Sequence, residues 1–188
     1  MRLDVLTKDQ CEMVRTWRNQ CLETLRTPYP LTFEQQEQFY RDVVCNRNSP
    51  HRYWGIFGEQ EGRVGPGGVR EVVDGFLGCG GLTNIQWENR IAEISLILDP
   101  NCRGKGLGAA AVDLLFTEAF DRMGLKTVFG ECYYTHAGVE FWLNVGDRYN
   151  GFRARLPNRK FWAGKFFDSL YFSIDVEEWR KVRDAATD

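Results

Sequence analysis

Residues 99–124 read DPNCRGKGLGAAAVDLLFTEAFDRMG, a stretch in which a glycine-rich turn leads from an apolar strand into a helix. Apolar residues follow the glycines at the spacing i, i+3, i+4, i+7 and i+11, which places them on one face of a helix. They are Val112, Leu115, Phe116, Ala119 and Met123. Gly124 stands where a cap glycine ends a helix. The stretch therefore predicts a helix that begins near Gly106 and packs one face on a core.

The turn before this helix has the features of an anion site. The first amides of a helix lack backbone partners and lie at the positive end of its dipole, and glycines let a phosphate approach them. A Walker loop needs Ser or Thr directly after Gly-Lys, whereas Gly106 follows Lys105 here, and GxGxG is not the dinucleotide pattern GxGxxG. The expected ligand is a diphosphate. A glycine-rich turn without a ligand is the alternative that the pattern leaves open.

Two capping boxes mark helix starts in the first third of the chain. Thr7 with Gln10, and Thr32 with Gln35, are each spaced for a reciprocal pair of side-chain hydrogen bonds. A short strand over residues 2–6 precedes the first helix. The second helix should run to about Val44 and bury Phe39, Tyr40 and Val43.

The remaining segments predict a sheet. Strands are expected over residues 52–58, 76–85, 91–98 and 125–133, with a short helix over 137–145 and a last strand near 170–174. Residues 61–75, which include GRVGPGGV, are rich in Gly and Pro and predict a long flexible hairpin loop. The order of elements indicates an α+β sandwich around a mixed sheet, in one domain over residues 1–188.

Composition narrows the class of protein. The chain has 43% hydrophobic residues, a formal net charge of -2 and a pI near 5.8, so a global basic field for nucleic acid is absent. No apolar run approaches the roughly 20 residues that span a bilayer. The first ten residues include four charged ones, where a signal peptide would be apolar. We therefore expect a cytoplasmic protein that binds no membrane. Six scattered cysteines predict free, mostly buried thiols, and two isolated histidines predict no metal site.

Several motifs together resemble the GNAT superfamily of acetyltransferases. Residues 103–108 match the R/Q-x-x-G-x-G/A loop of that superfamily. Trp17-Arg18-Asn19, the segment ENRIAEISLILDP at 88–100, and AGKFFDSLYFSI at 163–174 followed by EEW at 177–179 are similar to the RimL-type branch. The resemblance covers nearly the whole chain.

The resemblance implies a fold, a co-substrate and a reaction. The GNAT fold is a mixed, mostly antiparallel sheet with helices on both faces, and the reaction is direct transfer of acetyl from acetyl-CoA to a primary amine. The amine would belong to a small molecule or a protein N-terminus, and the protein could form a homodimer. The implied acetyl-CoA-binding residues are the backbone of Leu96, Ile97 and Leu98, the loop Arg103, Gly104, Lys105, Gly106, Leu107 and Gly108, and Thr135.

Glu93 is the candidate general base. Strand alternation places it on one face with Ser95 and Ile97, and a carboxylate in a mostly apolar strand is costly unless it has a partner or a function. Two interpretations stay open, a base that acts through water and a structural salt bridge to Arg90 or to a helix arginine.

The acid that protonates the leaving thiolate is less defined by the sequence. The position at which related enzymes carry Tyr is Trp142, which cannot donate a proton in the same way. Ser95, Tyr134 and Tyr133 are the substitute candidates, and the first two join Glu93 as predicted catalytic residues. Because the expected Tyr is absent at this position, a second interpretation stays open, in which the protein is a non-catalytic module that binds acyl-CoA.

A basic and aromatic stretch lies near the C-terminus. Its cations alternate with Phe and Trp, a pattern that suits either an anionic, stackable acceptor or one solvated face of a hairpin. They are Arg153, Arg155, Arg159, Lys160 and Lys165. We predict that the stretch lines the acceptor site without general affinity for nucleic acid, although an acyltransferase that modifies nucleic acid or a nucleotide sugar is an alternative.

Overall fold

The computed structural model describes residues 1–64, 70–102, 104–135 and 138–185, which form seven strands and five α-helices. The strands are β1 (Arg2–Asp4), β2 (Arg52–Val64), β3 (Arg70–Gln86), β4 (Ile91–Leu98), β5 (Thr127–Tyr133), β6 (Phe152–Trp162) and β7 (Lys165–Asp175). The helices are α1 (Lys8–Asn19), α2 (Phe33–Phe39), α3 (Leu107–Thr117), α4 (Gly138–Arg148) and α5 (Val176–Ala185). Short 3₁₀ turns lie at Leu22–Thr24 and Pro100–Cys102.

All seven strands form one mixed sheet in the order β1-β2-β3-β4-β5-β7-β6. Five of the six neighbouring pairs are antiparallel, and β4 with β5 is parallel. The helix α3 connects the two parallel strands, as a parallel connection requires. The predicted mixed, mostly antiparallel sheet is confirmed.

Local signals place the first helices as predicted. Both capping boxes form, with Thr7 and Gln10 at the start of α1 and Thr32 and Gln35 at the start of α2. The chain continues from α2 through a π-helical turn, Tyr40–Val44, so the predicted end at Val44 holds. The three aromatic and aliphatic side chains expected to be buried on this helix are only half-buried.

Helices cover both faces of the sheet. On one face α3, α4 and α5 pack on a large core that contains Leu82, Ala92, Val128 and Phe172. On the other face α1 and the turn after α2 pack on Cys79 and its neighbours. Alternation along β4 therefore holds as predicted, with the even-numbered residues toward α3 and the odd-numbered ones toward α1.

Helix α3 confirms the prediction made from its apolar spacing. Four of the five predicted core residues are buried, and Met123 is half-buried against the same core. The chain continues past α3 in a π-helical turn, Glu118–Arg122, and Gly124 then adopts a φ of 65°. The amide of Leu125 donates to the carbonyl of Ala119, as in a glycine-capped helix end.

One segment prediction is wrong, and one helix was not predicted. Residues 61–75 are not a long loop, because β2 extends to Val64 and β3 begins at Arg70, with Glu61 paired to Val72. The tip at 65–69 lies outside the described residues. The predicted strand near 170–174 lies within β7, but a helix that was not predicted follows it directly: Val176 and Trp179 of α5 are buried.

The six cysteines are free thiols, as predicted, but only three of them, Cys11, Cys79 and Cys132, are buried. Within the described ranges no group of three His, Cys, Asp or Glu side chains could hold a metal ion. No helix there has the length and apolar character that crossing a bilayer requires.

Candidate active site

The sheet opens between its two parallel strands. The β4–β5 ladder consists of the pairs Ile91↔Thr127, Ala92↔Val128 and Glu93↔Phe129. Both strands then continue, to Leu98 and to Tyr133, while each keeps its antiparallel neighbour on the outer side. Beyond Glu93 the inner edges of β4 and β5 diverge, so the described strands enclose a wedge with unpaired backbone groups on its walls.

The wedge leads into the glycine turn before α3. Gly104 and Gly106 both have a φ of 74°, a left-handed conformation that suits glycine. A Cβ atom added at either position would meet nothing within 4 Å, so the space around the turn is open. Gly106 is the N-cap of α3 and supplies no side-chain bond to the first-turn amides. The turn can therefore accept an anion at the helix N-terminus.

The other predicted residues of the CoA site fall around this turn. Leu96, Ile97 and Leu98 line the β4 side of the wedge and pair with β3 on the outer edge. Phe141 of α4 covers the side of α3 that carries Gly108. Its ring would lie 3.0 Å from a Cβ atom added at Gly108. Arg103 lies outside the described residues.

Glu93 lies at the point where the strands diverge, and it is held by an arginine that we did not predict. Arg26 donates from Nη2 to Glu93 Oε1 at 2.5 Å and from Nη1 to Oε2 at 3.2 Å. Asn84 donates to Oε2 at 3.1 Å. The salt bridge considered for Glu93 therefore exists, but its partner is neither Arg90, which donates to the carbonyl of Gly124, nor a helix residue.

A second carboxylate faces the same arginine from β5. Glu131 Oε2 lies 3.7 Å from Arg26 Nη2, and Glu131 Oε1 accepts from Arg159 at 3.0 Å and from Ser169 at 2.7 Å. Burial alone would raise the pKa of Glu131, but the hydrogen bonds from Arg159 and Ser169 outweigh it, so the pKa is lowered. Arg26 thus links carboxylates on the two walls of the wedge.

Side chains on both sides hold the loop that carries Arg26. Lys160 donates to the carbonyl of Leu25, and Arg18 donates to that of Thr27 at 3.2 Å. Thr135, predicted to contact acetyl-CoA, donates its hydroxyl to the carbonyl of Glu23 at 2.7 Å and so fixes the same loop.

The candidate acids do not lie together. Ser95 shares the face of Glu93, and its hydrogen bond to Tyr53 partly offsets the burial that raises the pKa of that tyrosine. Tyr134 packs with α4 on the opposite face, with Arg155 4.9 Å from its ring centre. Tyr133 instead faces Arg26 with its hydroxyl.

Trp142, at the position where a tyrosine was expected, is part of the core. Its ring stacks on Phe172 at a centroid distance of 5.0 Å and an interplanar angle of 20°. It also meets Phe141 edge to face. The tryptophan therefore packs α4 on the sheet, and its role as a core residue needs no proton-donating group.

The basic stretch is a hairpin, β6 and β7, whose arginines are largely paired. Arg153 pairs with Asp147, Arg155 with Asp168 at 2.7 Å, and Arg159 with Glu131. Lys160, which is buried, lies over the rings of Tyr133 and Trp162. Because carboxylates neutralise the three arginines, the hairpin is not a free basic surface.

Buried thiols are poor nucleophiles here. Burial, with the nearby Cys45 thiol adding to it, raises the pKa of Cys11 to about 12, and burial raises that of Cys132 to about 11. Both side chains are therefore protonated near neutral pH and do not offer a thiolate.

Sequence reasoning missed Arg26 and Glu131. Glu131 carried the same signal as Glu93, because it is a carboxylate within the apolar strand TVFGECY. Arg26 carried none, since it lies in an irregular loop and its contact with Glu93 spans 67 positions of the chain.

Comparison with solved structures supports the fold. Two structures of spermidine N-acetyltransferase SpeG from Vibrio cholerae, each 15% identical to this chain, are similar over nearly its full length. The complex with CoA and spermine has a TM-score of 0.75 and covers 95% of this chain and 96% of its own. A mutant of the same enzyme has a TM-score of 0.76 and covers 95% and 97%.

Comparison at the level of sequence identifies the family. No curated protein sequence matches this chain. The family model described as "Acetyltransferase (GNAT) domain" matches residues 3–140, which include the glycine turn, the wedge and Glu93. With that match and the observed sheet, the chain belongs to the GNAT acetyltransferase domain family.

Proposed function

We propose that this chain transfers an acetyl group from acetyl-CoA to a primary amine. The observation that carries the proposal is the wedge between β4 and β5 together with the open glycine turn at the start of α3, the helix that follows β4. One run of chain thus offers unpaired strand backbone to an extended arm and a helix N-terminus to a diphosphate. Membership of the GNAT family supports the proposal.

In this proposal the backbone amides of residues 103–108 hold the pyrophosphate of acetyl-CoA. The backbone of Leu96, Ile97 and Leu98 holds the pantetheine arm along the β4 wall. Thr135 acts on the site through the loop that it fixes, because its hydroxyl already donates to Glu23. The thioester then lies near Glu93, where the strands begin to diverge.

The chemistry requires a neutral amine at this point. The acceptor nitrogen gives a proton to Glu93, directly or through one water molecule, and forms a bond to the thioester carbonyl carbon. The carbon–sulfur bond breaks, and the leaving thiolate takes a proton from water, or from Ser95, whose hydroxyl regains a proton from solvent. Glu93 then releases the proton of the amine to solvent. Ser95 is the first candidate because it shares a strand face with Glu93, and Tyr134 is the second.

The acceptor is proposed to be a small-molecule amine or the N-terminal amine of a protein. The similar structures are named for spermidine, so polyamines are the first acceptors to assay, followed by N-terminal peptides, which the RimL-type resemblance suggests. A homodimer stays a prediction, which light scattering in solution would check.

Thiol release is the direct test of the function. Purified protein with acetyl-CoA and a panel of primary amines should release free CoA at a rate that depends on the amine. An assay in which every amine leaves the rate at the level of spontaneous hydrolysis would contradict the proposal.

There are two alternative functions. One is a module that binds acyl-CoA without turnover, and the other is an acyltransferase for a nucleotide sugar or nucleic acid. Trp142 favours the non-catalytic module, because it replaces the expected acid with a stacked core residue. Calorimetric binding of acetyl-CoA without thiol release would identify that module. The paired arginines of the hairpin give no support to a nucleic-acid acceptor.

A further inference from the structure

We propose that Arg26 is the positioning residue for Glu93 and holds the carboxylate of the proposed base in one orientation. The inference rests on the proposed function. Its starting point is the two-point contact in which one guanidinium meets both carboxylate oxygens, at 2.5 and 3.2 Å. Such a fork fixes the plane of a carboxylate as well as its position.

The contacts identify which oxygen of Glu93 accepts a proton. Oε2 accepts from Arg26 and from Asn84, whereas Oε1 accepts from Arg26 alone among the described residues. A carboxylate offers about four lone-pair positions, two on each oxygen. The remaining position on Oε1 is therefore the one that the acceptor nitrogen or its water meets.

Arg26 is itself held in place, which a positioning residue requires. Its guanidinium lies 3.7 Å from Glu131 and contacts the side chain of Tyr133. Glu131 is anchored by Arg159 and by the fully buried Ser169. This chain of contacts runs from the β6–β7 hairpin to the base across the wedge.

Arg26 is exposed to solvent, whereas the two carboxylates that it contacts are mostly buried. The side chain of Arg26 is 58% exposed, while those of Glu93 and Glu131 are each 11% exposed. Arg26 therefore lies at the mouth of the wedge, over two carboxylates that are withdrawn from solvent. A substitution of Arg26 removes a surface side chain and leaves the core unchanged.

The side chains around Glu93 make the effect of that substitution predictable. The groups that face it are Arg26 from the loop, Glu131 from β5 through Arg26, Tyr53 from β2 and Tyr171 from β7. Burial, and after it the charge of Glu93, raises the pKa of Tyr171. Without Arg26, the Glu93 carboxylate keeps only the side-chain amide of Asn84 as a hydrogen-bond donor among the described residues, so its plane is no longer fixed.

The test uses Arg26→Gln, Arg26→Lys and a matched control. Arg122→Gln also removes an exposed arginine from a carboxylate that is largely withdrawn from solvent, Glu118 at 2.6 Å, and Arg122 has no hydrogen bond or ion pair with Glu93 in the described part of the chain. Two readouts are needed. The first is the orientation of the Glu93 carboxylate in a crystal structure of each variant, and the second is the split between kcat and KM for the best amine.

For Arg26→Gln we expect the plane of the Glu93 carboxylate to turn away from its wild-type orientation, because the two-point contact is lost. We expect kcat at neutral pH to fall by about ten- to a hundredfold with a smaller change in KM, because the base loses its orientation. Arg26→Lys should also lose kcat, because an ammonium supplies the charge without the fork. Arg122→Gln should match wild type in both readouts.

A Glu93 carboxylate that has the same orientation in Arg26→Gln and wild type overturns the proposal, whatever the activity of the variant. Equal kcat for wild type and Arg26→Lys also overturns it, because the fork would then not matter. Absence of thiol release by wild type refutes the proposed function separately, because the crystal structures need no turnover. The two failures are therefore distinguishable.

Discussion

Replacement of Gly106 by valine tests whether the glycine turn holds a ligand. Gly106 has a φ of 74° and no atom within 4 Å of an added Cβ, so the new side chain would point into open space. The folded protein has room for it. A diphosphate on the first amides of α3 would have to share that space, and binding should therefore suffer where folding does not.

The cost to stability can be estimated from the backbone. An L-residue in the left-handed region costs roughly 1–2 kcal/mol, and no steric clash adds to it here. For a domain of this size, 1 kcal/mol lowers Tm by about 2–4 °C, so we expect a loss of roughly 2–8 °C. Loss of one or two charge-assisted hydrogen bonds at about 1.5–3 kcal/mol each would weaken CoA binding by ten- to more than a hundredfold.

Gly164 provides the matched control. It has a φ of 83°, and an added Cβ there also meets nothing within 4 Å, but it lies in the turn between β6 and β7. Thermal melts should show similar losses for Gly106→Val and Gly164→Val. Calorimetry with CoA should show weakened binding for Gly106→Val alone. Equal affinities in the two folded variants would refute the assignment of the turn as the pyrophosphate site.

The remaining predictions concern the chemistry of the wedge and the thiols. Glu93→Gln should lower turnover at neutral pH and recover part of it at higher pH, where more of the amine is neutral; an unchanged pH profile would assign Glu93 to structure. Ser95→Ala should slow thiol release more than Tyr134→Phe, and the reverse order in single-turnover kinetics would make Tyr134 the acid. Iodoacetamide at pH 8 should modify the exposed Cys45 first and spare Cys132, whose pKa is raised by burial to about 11; mass spectrometry of the peptides would show the order.

Much of the fold could be predicted from the sequence because its signals are local. Thr7 and Thr32 each mark a helix start through a partner three residues away, and Gly124 marks the end of the helical run after α3. A helix N-terminus with open glycines depends on the few residues around it. The glycine turn at the start of α3 was therefore predictable at the level of individual positions, while anion binding there stays a prediction.

The errors arose where pairing across the sheet decides the structure. Gly and Pro between residues 61 and 75 indicate a loop, yet the pairing of Glu61 with Val72 extends both strands. Helix α5 did have a local signal that we overlooked, since Asp175 accepts from the amide of Glu177 at its start. Its core contact through Trp179 is again distant in sequence.

The candidate site likewise contains one residue that the sequence could predict and one that it could not. Glu93 was identified because strand alternation puts a carboxylate among apolar residues, which is an anomaly visible in the sequence alone. Its partner could not be identified, because Arg26 belongs to a loop whose path is set by Lys160 and Thr135, more than a hundred positions away. Tertiary contacts of this kind leave no periodic pattern in the amino-acid sequence, so the sequence alone does not predict them.

The short ladder between β4 and β5 is also the seam between two contiguous halves of the chain. Every antiparallel pair lies within one half, and β2–β3, β3–β4 and β6–β7 join consecutive strands, so each half can begin to form without contacts to the other. Three residue pairs and the packing of α3 and α5 then join the halves. A ligand that lies in the wedge and contacts both strands adds to this junction. Its binding free energy would then raise the cooperativity of unfolding, and the exchange of amides along the seam would report occupancy of the site.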